Sequence, residues 1–253
     1  ATFTRFATGE YERWLMDLLA LTEGEEVLDM GCATGTLAVP LARAGHRVHG
    51  CDFAEAMLAI LDERAAAEHL PITSHLLAWE DDWEAAGLGT DSVDVAFASR
   101  SLMAEAVGPF VAKLDSAARS RAAVVVPASL LPSRDPRLLT YLGRTAKRPR
   151  VVRDVTRALT SLGRIPVVAT TRTFRPMRFP SFDEARADLR RLAGPEPFTA
   201  REQRLFDAYS AQHIVRRAAK SPSGETSQVW VLDYALPVTW VFIGWRTDGS
   251  PWG

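Results

Sequence analysis

Three observations predict an α/β fold built on a doubly wound sheet. The eleven residues Val27 to Leu37 read as a buried strand that ends in an acid and a glycine-bearing turn, then opens a helix. Apolar stretches of strand length alternate with helical stretches along most of the chain, the pattern of a sheet with crossover helices. With 253 residues, 47% of them hydrophobic, the chain can fill one large core and still carry an elaboration.

The elements follow in order. Tyr11, Trp14, Leu15, Leu18 and Leu19 make an apolar stripe and predict a helix over 10–21. A strand over 26–30 comes next, and Gly31 and Gly35 allow the backbone to turn sharply and approach a ligand. The run Leu37-Ala38-Val39-Pro40-Leu41-Ala42 predicts a helix over 35–45 with Gly45 as its C-terminal cap. A strand over 47–51 leads to Asp52, a helix over 54–69 stops before Pro71, and 72–78 form a third strand. Asp94 to Ser99 predict strand four, a helix lies within 104–118, and Ala122 to Val126 predict strand five. Asp135 caps a short helix, Pro136 takes its first turn and Gly143 stops it. A helix over 150–163 precedes strand six over 166–174. Helical stretches at 181–193 and 199–218 are separated by Gly194-Pro195-Glu196-Pro197. The segments 228–234 and 239–245, joined through Leu236-Pro237, predict an apolar hairpin.

Asp29 narrows the choice of ligand. A loop for pyrophosphate relies on backbone N–H groups at a helix N-terminus and avoids added negative charge. A carboxylate at the head of the loop suits a positive group, such as the ammonium of an amino-acid moiety. An NAD or FAD unit requires G-x-G-x-x-G, whereas this chain has Gly31-x-Ala33-x-Gly35 preceded by an acid.

The segment Asp29-x-Gly31-x-Ala33-x-Gly35 resembles the first motif of class I S-adenosylmethionine (SAM)-dependent methyltransferases, with Ala33 where a third glycine often stands. The resemblance implies a Rossmann-like, doubly wound seven-stranded sheet whose last strand is antiparallel and lies beside strand five. It implies SAM as cofactor, with S-adenosylhomocysteine as product. On it, Asp29, Gly31, Cys32, Ala33 and Gly35 form the cofactor loop, and Asp52, seventeen residues past Gly35, takes the ribose hydroxyls. Phe53 and Met57 stand where the family touches adenine, and the acids of Trp79-Glu80-Asp81-Asp82-Trp83 follow strand three, with Glu80 and Asp81 favoured as adenine contacts. A solvated acidic turn is the plainer reading of that loop. Ser99 ends strand four, beside the departing methyl in this family. The Ser99-Arg100-Ser101-Leu102 turn departs from the Asn-Pro-Pro-Tyr-like motif of amino-methylating relatives, so methylation of a base or a glutamine loses support. The N-terminal helix closes over SAM in similar enzymes, which makes Phe6, Tyr11 and Trp14 cofactor-facing or, equally, packing residues. The domain reading assigns 1–174 and 220–253 to the SAM-binding domain and 175–219 to a helical cap over the substrate pocket. The loop, turn and C-terminal strand also resemble an uncharacterised bacterial methyltransferase subgroup.

Candidates for catalysis are few. Arg100 can receive an anionic group of a substrate or pair with nearby acids. If the acceptor is a hydroxyl, His213 is the candidate base, with Tyr141 and Tyr209 as further pocket residues; packing is the plainer role for a lone histidine beside Ile214 and Val215. Methyl transfer needs little acid–base help when the nucleophile is already reactive, because alignment supplies most of the rate.

Composition bounds the rest. Residues 1–120 carry 20 acids and 8 bases, and residues 121–253 carry 11 acids and 22 bases, so a net charge of −1 hides an acidic and a basic half. The arginines are scattered rather than interleaved with aromatics, which argues against a nucleic-acid reader. No apolar run approaches the ~18 residues of a membrane span, and neither membrane association nor a signal segment is expected. Two cysteines, both in the cofactor motifs, read as packing residues in a reducing, cytoplasmic protein. No Cys/His cluster has metal-ligand spacing. The expectation is SAM-dependent methyl transfer to a small molecule, with an anionic acceptor and a homodimer left open. RNA or protein methylation, or SAM binding without transfer, are the alternatives.

Overall fold

The computed structural model describes residues 9–102, 106–128, 133–145, 150–175, 177–220 and 226–252. Its elements, in chain order, are α1 (Glu10–Leu19), β1 (Glu26–Met30), α2 (Ala38–Arg43), β2 (Arg47–Asp52), α3 (Glu55–Glu68), β3 (Ile72–Leu76), β4 (Val93–Ser99), α4 (Gly108–Ala117), β5 (Ala118–Pro127), α5 (Pro136–Leu142) and α6 (Val151–Ser161). They continue with β6 (Val167–Arg175), β7 (Arg178–Phe179), α7 (Phe182–Leu192), α8 (Ala200–His213), β8 (Ile214–Lys220), β9 (Thr226–Leu232) and β10 (Leu236–Arg246). Phe6 lies outside the described residues, as do positions 104 and 105 of the helix expected within 104–118.

The chain forms two compact units, of which the larger comprises Gly9–Ala128, Arg150–Thr171 and Trp240–Gly253. The large sheet has seven strands in the order β3-β2-β1-β4-β5-β10-β6. Strand β1 pairs parallel with β2 and β4, β2 with β3, and β4 with β5, while β10 runs antiparallel to β5. This is the expected topology. Four of the five β1 residues are buried, as a strand covered on both faces demands. Because the chain winds outward from β1 through β2 and β3, then returns to the other side at β4, the ends of β1 and β4 form the switch point where such sheets bind ligands. At the far end of the core, Trp245 donates its indole N–H to Asp115, which also takes a bidentate pair of bonds from Arg164.

The smaller unit draws on segments within Ser129–Pro149 and Arg172–Thr239. It holds α5, α7, α8 and a three-stranded antiparallel sheet in the order β7-β9-β8. Its own core gathers Leu138, Leu189, Phe206, Ile214 and Leu232. Two expectations are corrected here. The helix expected over 199–218 ends at His213, because the β-branched Ile214 and Val215 leave the helix and pair with Leu232 and Val231. The segment 228–234 therefore joins β8 rather than forming a hairpin with 239–245, which inserts alone beside β5 as β10. The segment read as a helical cap, 175–219, thus carries strands as well as helices.

The helix expected over 35–45 is also shorter. Residues 31–37 stay in a turn, with Gly35 (φ 82°) and Ala33 (φ 48°) in the left-handed region, and α2 starts at Ala38. No described helix is long and apolar enough to cross a membrane.

Candidate functional site: a cofactor loop at the switch point

The loop is drawn tightly onto the sheet. Gly31 and Cys32 both donate their N–H to the Cys51 carbonyl, at 2.7 and 2.9 Å, which ties the turn to the end of β2. Gly31 has φ 84°, and a Cβ there would lie 2.1 Å from the Ser101 Cβ. Ser101 is anchored in that place by donating its hydroxyl to the Met30 carbonyl at 2.5 Å. Only glycine fits beneath it. Ala33 adopts a left-handed backbone at a cost of about 1 kcal/mol, and its N–H is accepted by Asp52 Oδ2 at 2.9 Å. Asp52 Oδ1 accepts the Ala54 N–H at 2.9 Å, so the residue expected to hold ribose also holds the loop. Each carboxylate oxygen retains a second acceptor site, which leaves room for both tasks.

Asp29 behaves differently. It is 1% exposed, and its Oδ1 has no hydrogen-bond partner among the described residues. Burial, and then the charge of Asp52, push its pKa up to about 7, against the pull of Arg100 and the Ala38 backbone amide. A buried acceptor without a donor costs free energy of about 1–3 kcal/mol. A cationic, hydrogen-bonding group would remove that cost, and the amino-acid end of SAM carries one. The residues fit the cofactor. Cys32 and Cys51 are free and buried, and burial, helped by Asp29 and Asp52, raises both thiols. They are packing residues, as expected, and not nucleophiles.

Beyond Asp52 the surface turns apolar. Phe53 is 77% exposed, Leu76 opposite Asp52 in the β2–β3 register is 61% exposed, and Met57 is partly buried. Such exposed apolar groups beside the acid expected to hold ribose suit an adenine face; the sequence marks Leu76 only as part of a strand. In the loop after β3, Asp81 Oδ2 accepts the Ala78 N–H at 2.7 Å, so this side chain closes its own turn, while Glu80 is exposed. Lys113 pins the loop by donating to the Trp79 and Asp81 carbonyls at 2.8 and 2.6 Å.

The end of β4 meets α1. The Ser99 and Tyr11 hydroxyls are 2.6 Å apart and buried. The Arg100 guanidinium lies 4.5 Å from the Tyr11 ring centroid and 5.7 Å from that of Trp240, and Arg100 itself is left-handed at φ 63°. Trp14 packs beside Tyr11 and edge-on to Phe242. Burial pushes the Tyr11 phenol up to about 12, opposed by Arg100, so it keeps its proton at neutral pH.

His213, Tyr141 and Tyr209 gather in the smaller unit. His213 Nδ1 lies 3.0 Å from Asp233 Oδ1, its ring is 4.3 Å from that of Tyr209, and the Tyr141 and Tyr209 rings are 5.1 Å apart. Tyr209 donates to the Tyr234 hydroxyl at 2.9 Å, and Tyr234 donates to Asp135. Burial holds Tyr209 near pKa 12, so it is no base at neutral pH. No group of three or more His, Cys, Asp or Glu among the described residues is arranged to hold a metal.

Comparison with known proteins agrees with this geometry. Residues 27–120 match the methyltransferase domain family. An uncharacterised protein of Haemophilus influenzae is 32% identical over 114 residues, 44% of this chain and 40% of that protein. Human glycine N-methyltransferase is 35% identical over 81 residues, 32% of this chain and 28% of the enzyme. The chain thus spans less than half the length of the curated relatives it matches. Among solved structures, the geranyl diphosphate C-methyltransferase of Streptomyces coelicolor, in complex with Mg2+, geranyl diphosphate and S-adenosylhomocysteine, aligns with a TM-score of 0.54 at 14% identity, over 94% of this chain and 79% of that one. That likeness is one of fold. The sheet order, the glycine loop beneath Ser101 and the family match agree, and residues 27–120 form a methyltransferase domain of the class I, S-adenosylmethionine-dependent type.

Proposed function

We propose that this chain transfers a methyl group from SAM to a small-molecule acceptor, as an enzyme of class EC 2.1.1. The observation that carries the reading is the orphaned, fully buried Asp29 oxygen at the sheet's switch point. Asp29 would hold the ammonium of SAM, Asp52 its ribose, and Phe53 and Met57 its adenine. Bound there, SAM supplies a methyl group activated by a sulfonium. The protein's own share is orientation and exclusion of water, which together can lower such a barrier by about 7–11 kcal/mol. The Tyr11 phenol near Asp29, held near pKa 12, accepts no proton at neutral pH, and Asp29 and Asp52 are given to the cofactor, so the acceptor is expected to arrive as a competent nucleophile. Relatives named for glycine and for geranyl diphosphate support a small acceptor. The smaller unit is proposed to carry the residues that differ between acceptors.

Isothermal titration calorimetry with SAM and S-adenosylhomocysteine tests the cofactor. Micromolar binding of both is expected. Absence of heat for either ligand at millimolar concentration removes the reading. A screen of tritiated methyl transfer to small acceptors and to bulk RNA then separates acceptor classes; incorporation into RNA alone would contradict a small-molecule acceptor.

A further inference from the structure

The large sheet ends at an edge suited to further pairing. Strand β6 is outermost, and among the described residues no other strand lies against its outer side. It is nine residues long, contains no proline or glycine, and is rich in valine and threonine. Arg172 is the one charged residue between 167 and 174. The opposite edge, β3, has five residues and carries the polar run Thr73-Ser74-His75. Sheet edges are ordinarily blunted by short length, by charge or by proline, and β6 has little of any of these.

Exposed apolar surface gathers at the same edge. Of the nine large apolar side chains that stand exposed among the described residues, Leu162, Ile165, Val167, Val168 and Phe174 lie on β6 or just before it. Along the strand, the exposed Val168, Thr170, Arg172 and Phe174 alternate with the half-buried Ala169, Thr171 and Thr173. One face of β6 therefore looks outward, and Val168 and Phe174, each 55% exposed, bracket it.

A second copy of the chain fits this edge in one register. Two identical strands pair antiparallel about a two-fold axis normal to the sheet, which sets like faces side by side. Centring that axis on Thr171 places Val168 opposite the partner's Phe174, Thr170 opposite the partner's Arg172, and Thr171 opposite itself. An aromatic ring beside a β-branched side chain is a favourable cross-strand pair, and no like charges meet. Centring on Arg172 opposes two arginines. Centring on Thr170 puts Phe174 opposite Pro166, which has no N–H for the ladder. We propose that β6 is a dimer interface, at which two copies of this chain join their large sheets through an antiparallel pairing centred on Thr171. A second copy is favoured over a foreign strand because the edge complements itself, and the contact closes because each copy offers one such edge. A pairing of this size buries little surface, so micromolar association is expected.

Sedimentation velocity over a concentration series should show a monomer–dimer equilibrium. Phe174→Asp and Val168→Asp should each weaken it at least tenfold and leave the thermal midpoint of the monomer nearly unchanged, because both side chains are already largely in water. Cysteine substitutions test the register. Thr171→Cys brings two thiols together across the axis, with Cα atoms about 4.5–5.5 Å apart and within reach of a disulfide. Mild oxidation should therefore give a covalent dimer. Thr170→Cys is the more exposed position, yet its two Cα atoms lie about 8 Å apart, so it should stay uncoupled under the same oxidation. Cys32 and Cys51 are buried, and the wild type serves as the blank. A wild type that remains monomeric at hundreds of micromolar overturns the proposal and leaves the edge to a different protein. A dimer indifferent to both aspartates overturns it as well, as does Thr170→Cys coupling as readily as Thr171→Cys. Growth into open oligomers without a dimer plateau contradicts the closed pairing.

Discussion

Two buried carboxylates, one in each compact unit, serve opposite purposes. Asp135 in the smaller unit is fully buried and fully employed. It caps α5 by accepting the Arg137 and Leu138 N–H groups, and it accepts the Tyr234 hydroxyl, which in turn accepts from Tyr209. Asp29 in the larger unit is as deeply buried, yet it keeps one oxygen without a donor and has its pKa raised to about 7. The first carboxylate is saturated by its own chain and stabilises the fold. The second, left incomplete, is proposed to give up stability in the ligand-free fold for affinity towards a cation. A buried acid reads as structural or functional according to whether the protein itself completes its hydrogen bonds.

The largest effect should fall on the saturated acid. Asp135→Ala removes a cap and leaves the Tyr234 hydroxyl and two backbone N–H groups without their acceptor, a loss of about 3–4 kcal/mol readable in chemical denaturation. A change below 1 kcal/mol would break the comparison. Gly31→Ala comes next, at about 2–4 kcal/mol, because its Cβ would meet Ser101 at 2.1 Å in a left-handed backbone. The companion variant Gly31→Ala with Ser101→Gly should recover the packing share and retain the backbone share.

Asp29→Asn should act with the opposite sign on stability. A folded pKa raised above the unfolded value means that the stabilising share of the protonated acid is complete at low pH and declines as pH rises through about 7. At pH 7.5 the amide should therefore raise the ligand-free midpoint, by the equivalent of about 1–2 kcal/mol, while SAM binding is lost. A fall in the midpoint would show that the carboxylate is satisfied after all. Ala33→Gly is the mildest change: it relieves a left-handed alanine at φ 48° and should add about 0.5–1 kcal/mol with the Asp52 bond intact.

What the sequence disclosed was local. The Asp29–Gly35 turn, the spacing to Asp52 and the Asp135–Gly143 capping pattern each fit within a single strand–turn–helix step, and the structure has β1 at Glu26–Met30 and α5 at Pro136–Leu142. Contacts between distant positions were not disclosed. The Tyr11–Ser99 pair spans 88 positions, Tyr234–Asp135 spans 99, and Ser101 closes over Gly31 from seventy residues away. The strand β8 was hidden for another reason. Its Arg- and Ala-rich end has helical propensity, and only pairing with β9 makes it a strand. Of the candidate catalytic residues, Arg100 sits with the cofactor loop, whereas His213, Tyr141 and Tyr209 form their own aromatic cluster in the smaller unit.

The central claim is that the unpaired Asp29 carboxylate awaits the ammonium of SAM, and its pH dependence tests it most directly. Because the bound cation favours the ionised acid, SAM affinity of the wild type should rise by up to about tenfold per unit from pH 5.5 towards 7, then level off. Calorimetry across that range, in buffers of different ionisation enthalpy, should register about one proton released per SAM bound near pH 6, and Asp29→Asn should give a flat profile at much weaker affinity. A wild-type profile without slope, or an Asp29→Asn protein that binds SAM as tightly as wild type, would contradict the claim.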